Sequence, residues 1–467
     1  MRFLVRTCVA VSAVALLAAG CSRAATSPSA GATGSSSAAS TASGGQATGA
    51  SFGTLSGVCH PGSASGAPDQ GVTASEIRVG VMTDASFTKD ETFPVTAKVF
   101  ASWCNAQGGI DGRKIVFDTL DTQLFNVQPV MTKACGEDFA LVGGGAAFDG
   151  AGVSERLSCL LPAFPGEVVS PQNAGSAFQV YPGWNAGPNW SYAPYYSWLI
   201  KDAYPDSAKH VGIISGDTAA TQQIATEDSQ GIAGIGGSVT YNNLFPPLGA
   251  SDWTPYAEAI KTKGVKGLIF NGQWQQLAKL ELALTNIGYK LDWIDANSDA
   301  YTPQFTQLAG PSLTAQNNYA DLSGLYPVEE ASSNPATQQL ASLFKQYAPG
   351  SPVTLPAVQS LAAWLLFAAS AESCGSDLTR KCIYDAAVTQ TSWTAGGLLA
   401  PSSLAPGATP PNCFNVEKAT PSGWQPASIS ANNGAYRCGA PFFRLTGSAY
   451  IPPTSLASVG KTLADLK

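Results

Sequence analysis

Short apolar, often β-branched runs recur along the chain from residue 76, each followed by a segment of helix length. The predicted strands are EIRVGVM (76–82), KIVFDTL (114–120), FALVG (139–143), CLLPAF (159–164) and AFQVYP (177–182). A second series follows: HVGIIS (210–215), SVTYNNLF (238–245), GLIFNG (267–272), LDWID (291–295) and YADLSG (319–324). Between them, FPVTAKVFASWCNAQ (93–107) places Phe93, Ala97, Phe100 and Cys104 on one helical face. Near-continuous apolar strands alternating with amphipathic helices predict an α/β fold, with parallel sheets covered on both sides. The run LAAWLLFAASA (361–371) is too short to span a bilayer and reads as a buried helix. VGVMTDAS (79–86) and VGIISGDT (211–218) repeat one plan, strand then polar turn then helix, which suggests two α/β lobes.

The first residues break this pattern. Arg2 and Arg6 precede an apolar stretch at 8–19, and Ala-Ala-Gly leads to Cys21. This is an export signal over residues 1–20. It resembles the bacterial lipoprotein signal, in which Cys21 becomes the acylated first residue. Residues 21–56 are mostly Ser, Ala, Gly and Thr, and they read as a flexible tether that holds the domain some ~30–35 Å from its anchor.

The remainder is long and apolar enough, at 45% hydrophobic overall, to give two lobes a core each. Loss of the signal removes two arginines and no acid, taking the formal charge from −7 to −9. An acidic chain without a run of Lys or Arg argues against nucleic-acid binding. Of the ten cysteines, Cys8 and Cys21 belong to the signal and anchor. The other eight suggest up to four disulfides in an exported chain. Cys374–Cys382 and Cys413–Cys438 look local, and Cys104–Cys135 would tie successive helices. No C-x-x-C is present and there are only two histidines, so no metal site or cofactor is expected.

FALVGGGAAFDGAGV (139–153) holds the most suggestive turn. It is no P-loop, because Gly150 is followed by Ala151 and Gly152 where Lys and Ser or Thr are needed. It is no dinucleotide fingerprint either, since Phe148 stands where the third glycine belongs. GASFG (49–53) lacks a flanking strand and helix, and SFTK (86–89) lacks its companion motifs. His60 and His210 stand apart from any nucleophile. No catalytic constellation survives, and ligand binding fits best. In open α/β sheets, guests sit at the carboxyl ends of strands, where helix-start N–H groups point outward.

Three early stretches, GVTASEIRVGVMTD (71–84), NAQGGIDGRKIVFDTLD (105–121) and FALVGGGA (139–146), resemble the opening of the Leu/Ile/Val-binding-protein family, the type I periplasmic solute receptors of ABC importers. AKHVGIISGDT (208–218), LFPPLGASDWTPYAEAIKTKGVKGLIFNG (244–272) and LALTNIGYKLDWIDANSDAYTPQFTQLAG (282–310) follow in the same order. The resemblance implies two Rossmann-like lobes joined by a three-crossing hinge, with crossings near 183–190, 317–325 and 425–445. Lobe 1 would comprise 57–184 and 322–440, and lobe 2 would comprise 185–321 and 441–467.

The resemblance also implies where a solute would sit. The turn after the third strand maps a carboxylate-binding wall onto Gly144, Ala146 and Ala147, with Phe148 and Asp149 beside it, although the family's usual Ser or Thr side chains are missing there. Asp217 and Thr218 stand after the first strand of lobe 2, with Thr218 and Ala219 where the family commonly has Tyr-Gly. Asp299, flanked by Asn297, is the candidate for meeting an ammonium group. Tyr181 and Trp184 could stack on a bulky or cationic guest at the first crossing. Asp84 and Ser86 lie on the first cleft loop. With Asp84, Asp149, Asp217 and Asp299 against Lys89, the cleft disfavours polyanions. The implied protein is a monomeric, non-enzymatic receptor on the outer face of the cell membrane. It is anchored at Cys21, captures an amino-acid-like or amide-like solute and delivers it to ABC permease subunits. A sensor of the same fold and an exported hydrolase remain as rival readings.

Overall fold

The computed structural model describes residues 50–183, 190–191, 193–439 and 442–466. The described chain starts with a hairpin, β1 (Ala50–Phe52) and β2 (Leu55–Cys59). Phe52 is fully buried and meets Trp103 edge-on at 6.0 Å, so residues 50–56 belong to the folded domain and the tether ends earlier than expected.

The first sheet is formed by β3 (Glu76–Thr83), β4 (Lys114–Asp121), β5 (Leu141–Val142) and β6 (Ala163–Phe164), all parallel, in the order β4-β3-β5-β6. β5 and β6 are shorter than their apolar runs, and the expected strand at 177–182 reduces to one bridge between Ala163 and Gln179. Alternation along these strands sends Val79, Val81 and Val142 to one face and Met82, Leu120 and Leu141 to the other.

The helix Thr92–Ala106 covers the first face and Val127–Glu137 the second, as right-handed crossovers on either side of β3 require. The sheet therefore lies between Cys104 and Cys135, and the expected bond between them does not form. Cys104 pairs with Cys59, and Cys135 pairs with Cys159. The two local pairs, Cys374–Cys382 and Cys413–Cys438, are present as expected.

Helix Leu355–Cys374 backs the first face. Thr354 caps its start by accepting the Ala357 N–H, and Gly375 ends it at φ +53°. It is apolar all round and long enough to cross a membrane, but it is buried as core, with Trp364 stacked on Phe100 at 5.3 Å.

After β7 (Trp190–Ser191), the second sheet takes in β8 (Val211–Gly216), β9 (Val239–Phe245), β10 (Gly267–Asn271), β11 (Trp293–Asp295) and β12 (Asn318–Asp321). These five are parallel, as expected. Later come β13 (Cys413–Phe414), β14 (Val416–Thr420), β15 (Gly423–Pro426), β16 (Arg437–Cys438) and β17 (Phe443–Arg444). β14 and β15 join the second sheet antiparallel beside β12, so residues 416–426 belong to lobe 2 and not to lobe 1. β13 pairs with β16, and β17 with β7. The third crossing accordingly falls before β13, earlier than 425–445.

Crossings two and three run side by side. Leu322 donates to Asn415 O at 3.0 Å, Ala400 donates to Gly324 O at 2.8 Å, and Leu325 bridges Leu399. Pro182 of the first crossing lines a small cavity with Ser323, Gly324, Leu399 and Pro411, so all three crossings converge there.

Candidate functional site

The carboxyl ends of the parallel strands carry the site. Gly143 leaves β5 at φ +68°, with its open side under the Trp364 indole, and a Cβ on Gly144 would lie 2.4 Å from the Met82 backbone. This close approach brings the turn onto the end of β3. Asp84, just after β3, is buried, and its carboxylate fastens three loops. Oδ1 accepts from the Thr122 hydroxyl and from the Leu124 N–H at 3.0 Å, and Oδ2 accepts the Ala147 N–H at 2.7 Å. The residues next along each loop then meet, and Phe125 stacks on Phe148 at 5.5 Å and 22°.

This arrangement engages part of the turn expected to form a carboxylate wall. The Ala147 amide is taken by Asp84, and the Gly145 amide by Met82 O at 3.0 Å. Gly144 offers its carbonyl to the Gly166 N–H at 2.9 Å. Asp149 faces inward: its carboxylate accepts from Val169 N at 2.9 Å, Ser170 N at 2.8 Å and Asn173 Nδ2 at 2.9 Å. Burial raises its pKa against the pull of those donors. Ala146 is buried in the turn, and Phe148 keeps a half-buried ring. Ser86 is exposed and donates its N–H to Asp121.

A residue not foreseen from sequence, Glu167, lies over Gly145: a Cβ there would be 2.7 Å from the Glu167 Cβ. Burial, and then the negative charges of Asp299, Asp149, Asp90 and Asp84, hold its carboxyl well above the usual range. Asp299 belongs to the turn after β11 in lobe 2, and that turn packs on helix Leu355–Cys374. Its side chain keeps contact with solvent although protein crowds it on several sides. That crowding, with the charge of Asp90, brings its pKa to about 6. Glu167 of lobe 1 thus feels the charge of Asp299 of lobe 2, while the cavity that Glu167 and Asp149 line also holds the buried Arg156 guanidinium.

Behind Asp299 the second edge holds more acid. Tyr196 donates to Asp295 Oδ2 at 2.9 Å and Asn271 donates to Asp228 Oδ2 at 2.9 Å. Burial brings Asp295 to about 6 and Asp228 to about 8. Asn297, at φ +54°, donates to Gly272 O at 3.0 Å and accepts the Asp299 N–H at 2.8 Å, so it shapes the Asp299 turn. Asp217 accepts from Gln222 at 2.7 Å, and Thr218 caps the following helix, so both serve local structure. Tyr181 is partly buried just before the first crossing, and Trp184 lies outside the described residues. The strand-end rule that singled out Asp84 and Gly144 would also have found Glu167, three residues past β6, and Asp295, the last residue of β11. Among the described residues no group of three or more His, Cys, Asp or Glu side chains forms a metal site.

A family profile described as periplasmic binding protein matches residues 76–423. No curated protein matches the sequence. A fatty acid ABC transporter substrate-binding protein from Thermomonospora curvata superposes with TM-score 0.67 at 17% identity, over 82% of this chain and 97% of that one. LivJ, the branched-chain amino acid transporter substrate-binding protein of Streptococcus pneumoniae, solved with isoleucine, gives 0.59 at 14%, over 79% and 100%. An ABC transporter solute-binding protein from R. palustris, solved with benzoate, gives 0.59 at 15%, over 75% and 95%. At these identities the likeness is one of fold.

Proposed function

The chain belongs to the periplasmic binding protein family, and on that premise we propose that it is the solute-capturing subunit of an ABC importer, closing its two lobes on an amino-acid-like or amide-like guest with a positive end. The family is one of binding proteins and not of enzymes. What supports the choice of guest is the excess of acid there: the charges of Asp299, Asp149, Asp90 and Asp84 all raise Glu167, and Arg156, a cation lining the same cavity, spends its donors on Leu161, Ser176, Ala177 and Phe178. An ammonium or amide N–H near Glu167 and Asp299 would offset that excess of negative charge and touch both lobes. A lone carboxylate such as benzoate, or a fatty acid, would add to it. The fold neighbours solved with isoleucine and with benzoate thus bracket the choice, and the acid lining favours the former kind.

Guest binding to both lobes stabilises the closed form, which permease subunits recognise. Cys21, acylated as the first mature residue, would hold the monomer at the outer face of the membrane, and four disulfides suit that compartment. A thermal-shift screen of the chain from residue 22 onward tests the reading. It would cover amino acids, amides, polyamines, sugars, and aromatic and fatty acids. Saturation at ~100 Kd adds about 2.7 kcal/mol to stability. Shifts from amines or amides alone, with the compound recovered unchanged, support it. A shift only from anions, or consumption of the compound, overturns it.

A further inference from the structure

The C-terminal segment makes a fourth passage between the lobes, beyond the three hinge crossings. On lobe 2, β17 pairs with β7 through Phe443↔Ser191 and Arg444↔Trp190. The Gln230 side chain exchanges two hydrogen bonds with the Thr446 backbone, at 2.9 and 2.6 Å. Gln223 donates to Ala449 O at 3.1 Å, and Leu445 and Ala449 are buried. The chain then leaves through Tyr450, Ile451, Pro452 and Pro453 and attaches to lobe 1. There Ala177 donates its N–H to Thr454 O at 2.9 Å, and the Thr454 hydroxyl donates to Gln172 O at 2.9 Å. Leu456 is buried against Val153, Leu157 and Phe178. This placement assigns residues 451–466 to lobe 1, contrary to the expectation that 441–467 belong wholly to lobe 2.

We propose that residues 443–466 are a strap that limits how far the lobes swing apart. The free stretch between the last lobe 2 contact and the first lobe 1 contact is four residues, which reach at most ~14 Å when extended. Consecutive prolines hold such a stretch near its polyproline length of ~3.1 Å per residue, so there is little slack to draw out. The hinge's second crossing passes through Ser323 at φ +52° and Gly324 at φ +76°, next to the small cavity where the crossings meet.

Opening the cleft must therefore pivot about Pro452–Pro453 or strip one anchor from its lobe. The lobe 1 anchor rests on three hydrogen bonds of Thr454 and on Leu456, with Val459 and Leu466 packed beside it; the lobe 2 anchor rests on a strand pair and two glutamines. A strap of this kind keeps the empty protein near its closed form, so that less guest affinity is spent on closure. The inference needs only the two lobes, not the identity of the guest.

Small-angle scattering and amide exchange on the guest-free protein test it. Leu456→Asp should release the lobe 1 anchor, with exchange at the Ala177 amide faster by roughly tenfold or more. The radius of gyration should rise with it. Faster exchange at Ala177 with an unchanged radius overturns the proposal, because the tail would then be only a cover. Pro452→Gly with Pro453→Gly leaves both anchors in place and adds slack, so it stands if the first variant fails to fold. A wider distribution of radii supports the strap, and an unchanged one overturns it. Failure of every guest in the thermal screen would leave these readouts intact.

Discussion

Asp84 accepts the Ala147 backbone N–H at 2.7 Å, across sixty-three positions of sequence. With its contacts to Thr122 and Leu124, this one carboxylate sets the spacing of the loops after β3, β4 and β5. Asp84→Ala leaves buried donors without an acceptor, each costing about 1–3 kcal/mol. The expected loss of stability is therefore about 2–4 kcal/mol, read from urea unfolding midpoints. A loss below about 0.5 kcal/mol, the usual size of a surface change, would show that the loops hold themselves.

Glu281 and Asn318 make a second prediction. Both are fully buried, and Asn318 Nδ2 donates to Glu281 Oε2 at 2.8 Å, which leaves Glu281 Oε1 and Asn318 Oδ1 without a donor. A proton on Oε1 removes the buried charge, and burial raises this carboxyl to about 8. Below about pH 4.3 folded and unfolded chains both carry the proton. Between there and pH 8 only the folded chain keeps it, so stability falls as pH rises, by at most about 1.4 kcal/mol per unit. Asp228 and Asp321, each at about 8, and Glu417 at about 9 act with the same sign. The melting temperature should peak on the acid side, and Glu281→Gln should flatten its decline up to pH 8. An unchanged slope would mean Glu281 is ionised in the fold.

For a cationic guest, affinity should rise with pH through about 6, where Asp299 loses its proton. Asp299→Asn should weaken binding roughly tenfold or more, since a hydrogen bond to a charged group is worth about 1.5–3 kcal/mol. It should also remove most of the pH dependence in titration calorimetry. Equal affinity at pH 5 and pH 7.5 in the parent protein would place the positive end elsewhere.

The disulfides should rank by the loops they close. Chain-entropy arithmetic gives about 4 kcal/mol for Cys59–Cys104, separated by 45 residues, and about 2.6 for Cys374–Cys382, separated by 8. Paired Cys→Ala variants compared in guanidinium should show that order. The reverse order would point to strain or denatured-state structure in place of loop closure.

Strand runs and amphipathic helices made the two-sheet plan readable before any coordinates, because each follows from local periodicity. The glycine turn was equally visible, but not its chemistry. Whether the Ala147 N–H is free depends on Asp84, a residue distant in sequence, and nothing local reports it. Glu167 follows β6 by three residues, so the strand-end rule reaches it only once β6 is placed. Cys104 and Cys135 looked like partners on successive helices until the sheet came between them. The last stretch was hardest: VEKAT (416–420) is polar enough to read as loop, yet Val416 and Glu417 are buried in β14.

That strand also fixes an order of events during synthesis. Tyr319 in β12 finds its neighbour Lys418 only after the helices that back lobe 1 have been made. On the ribosome, the first sheet has all its strands early, whereas the second must wait with its β12 edge bare. An unpaired edge is a template for wrong partners. The interval before β14 emerges is when this protein is most exposed to mispairing, and export with delayed folding would spare it that interval.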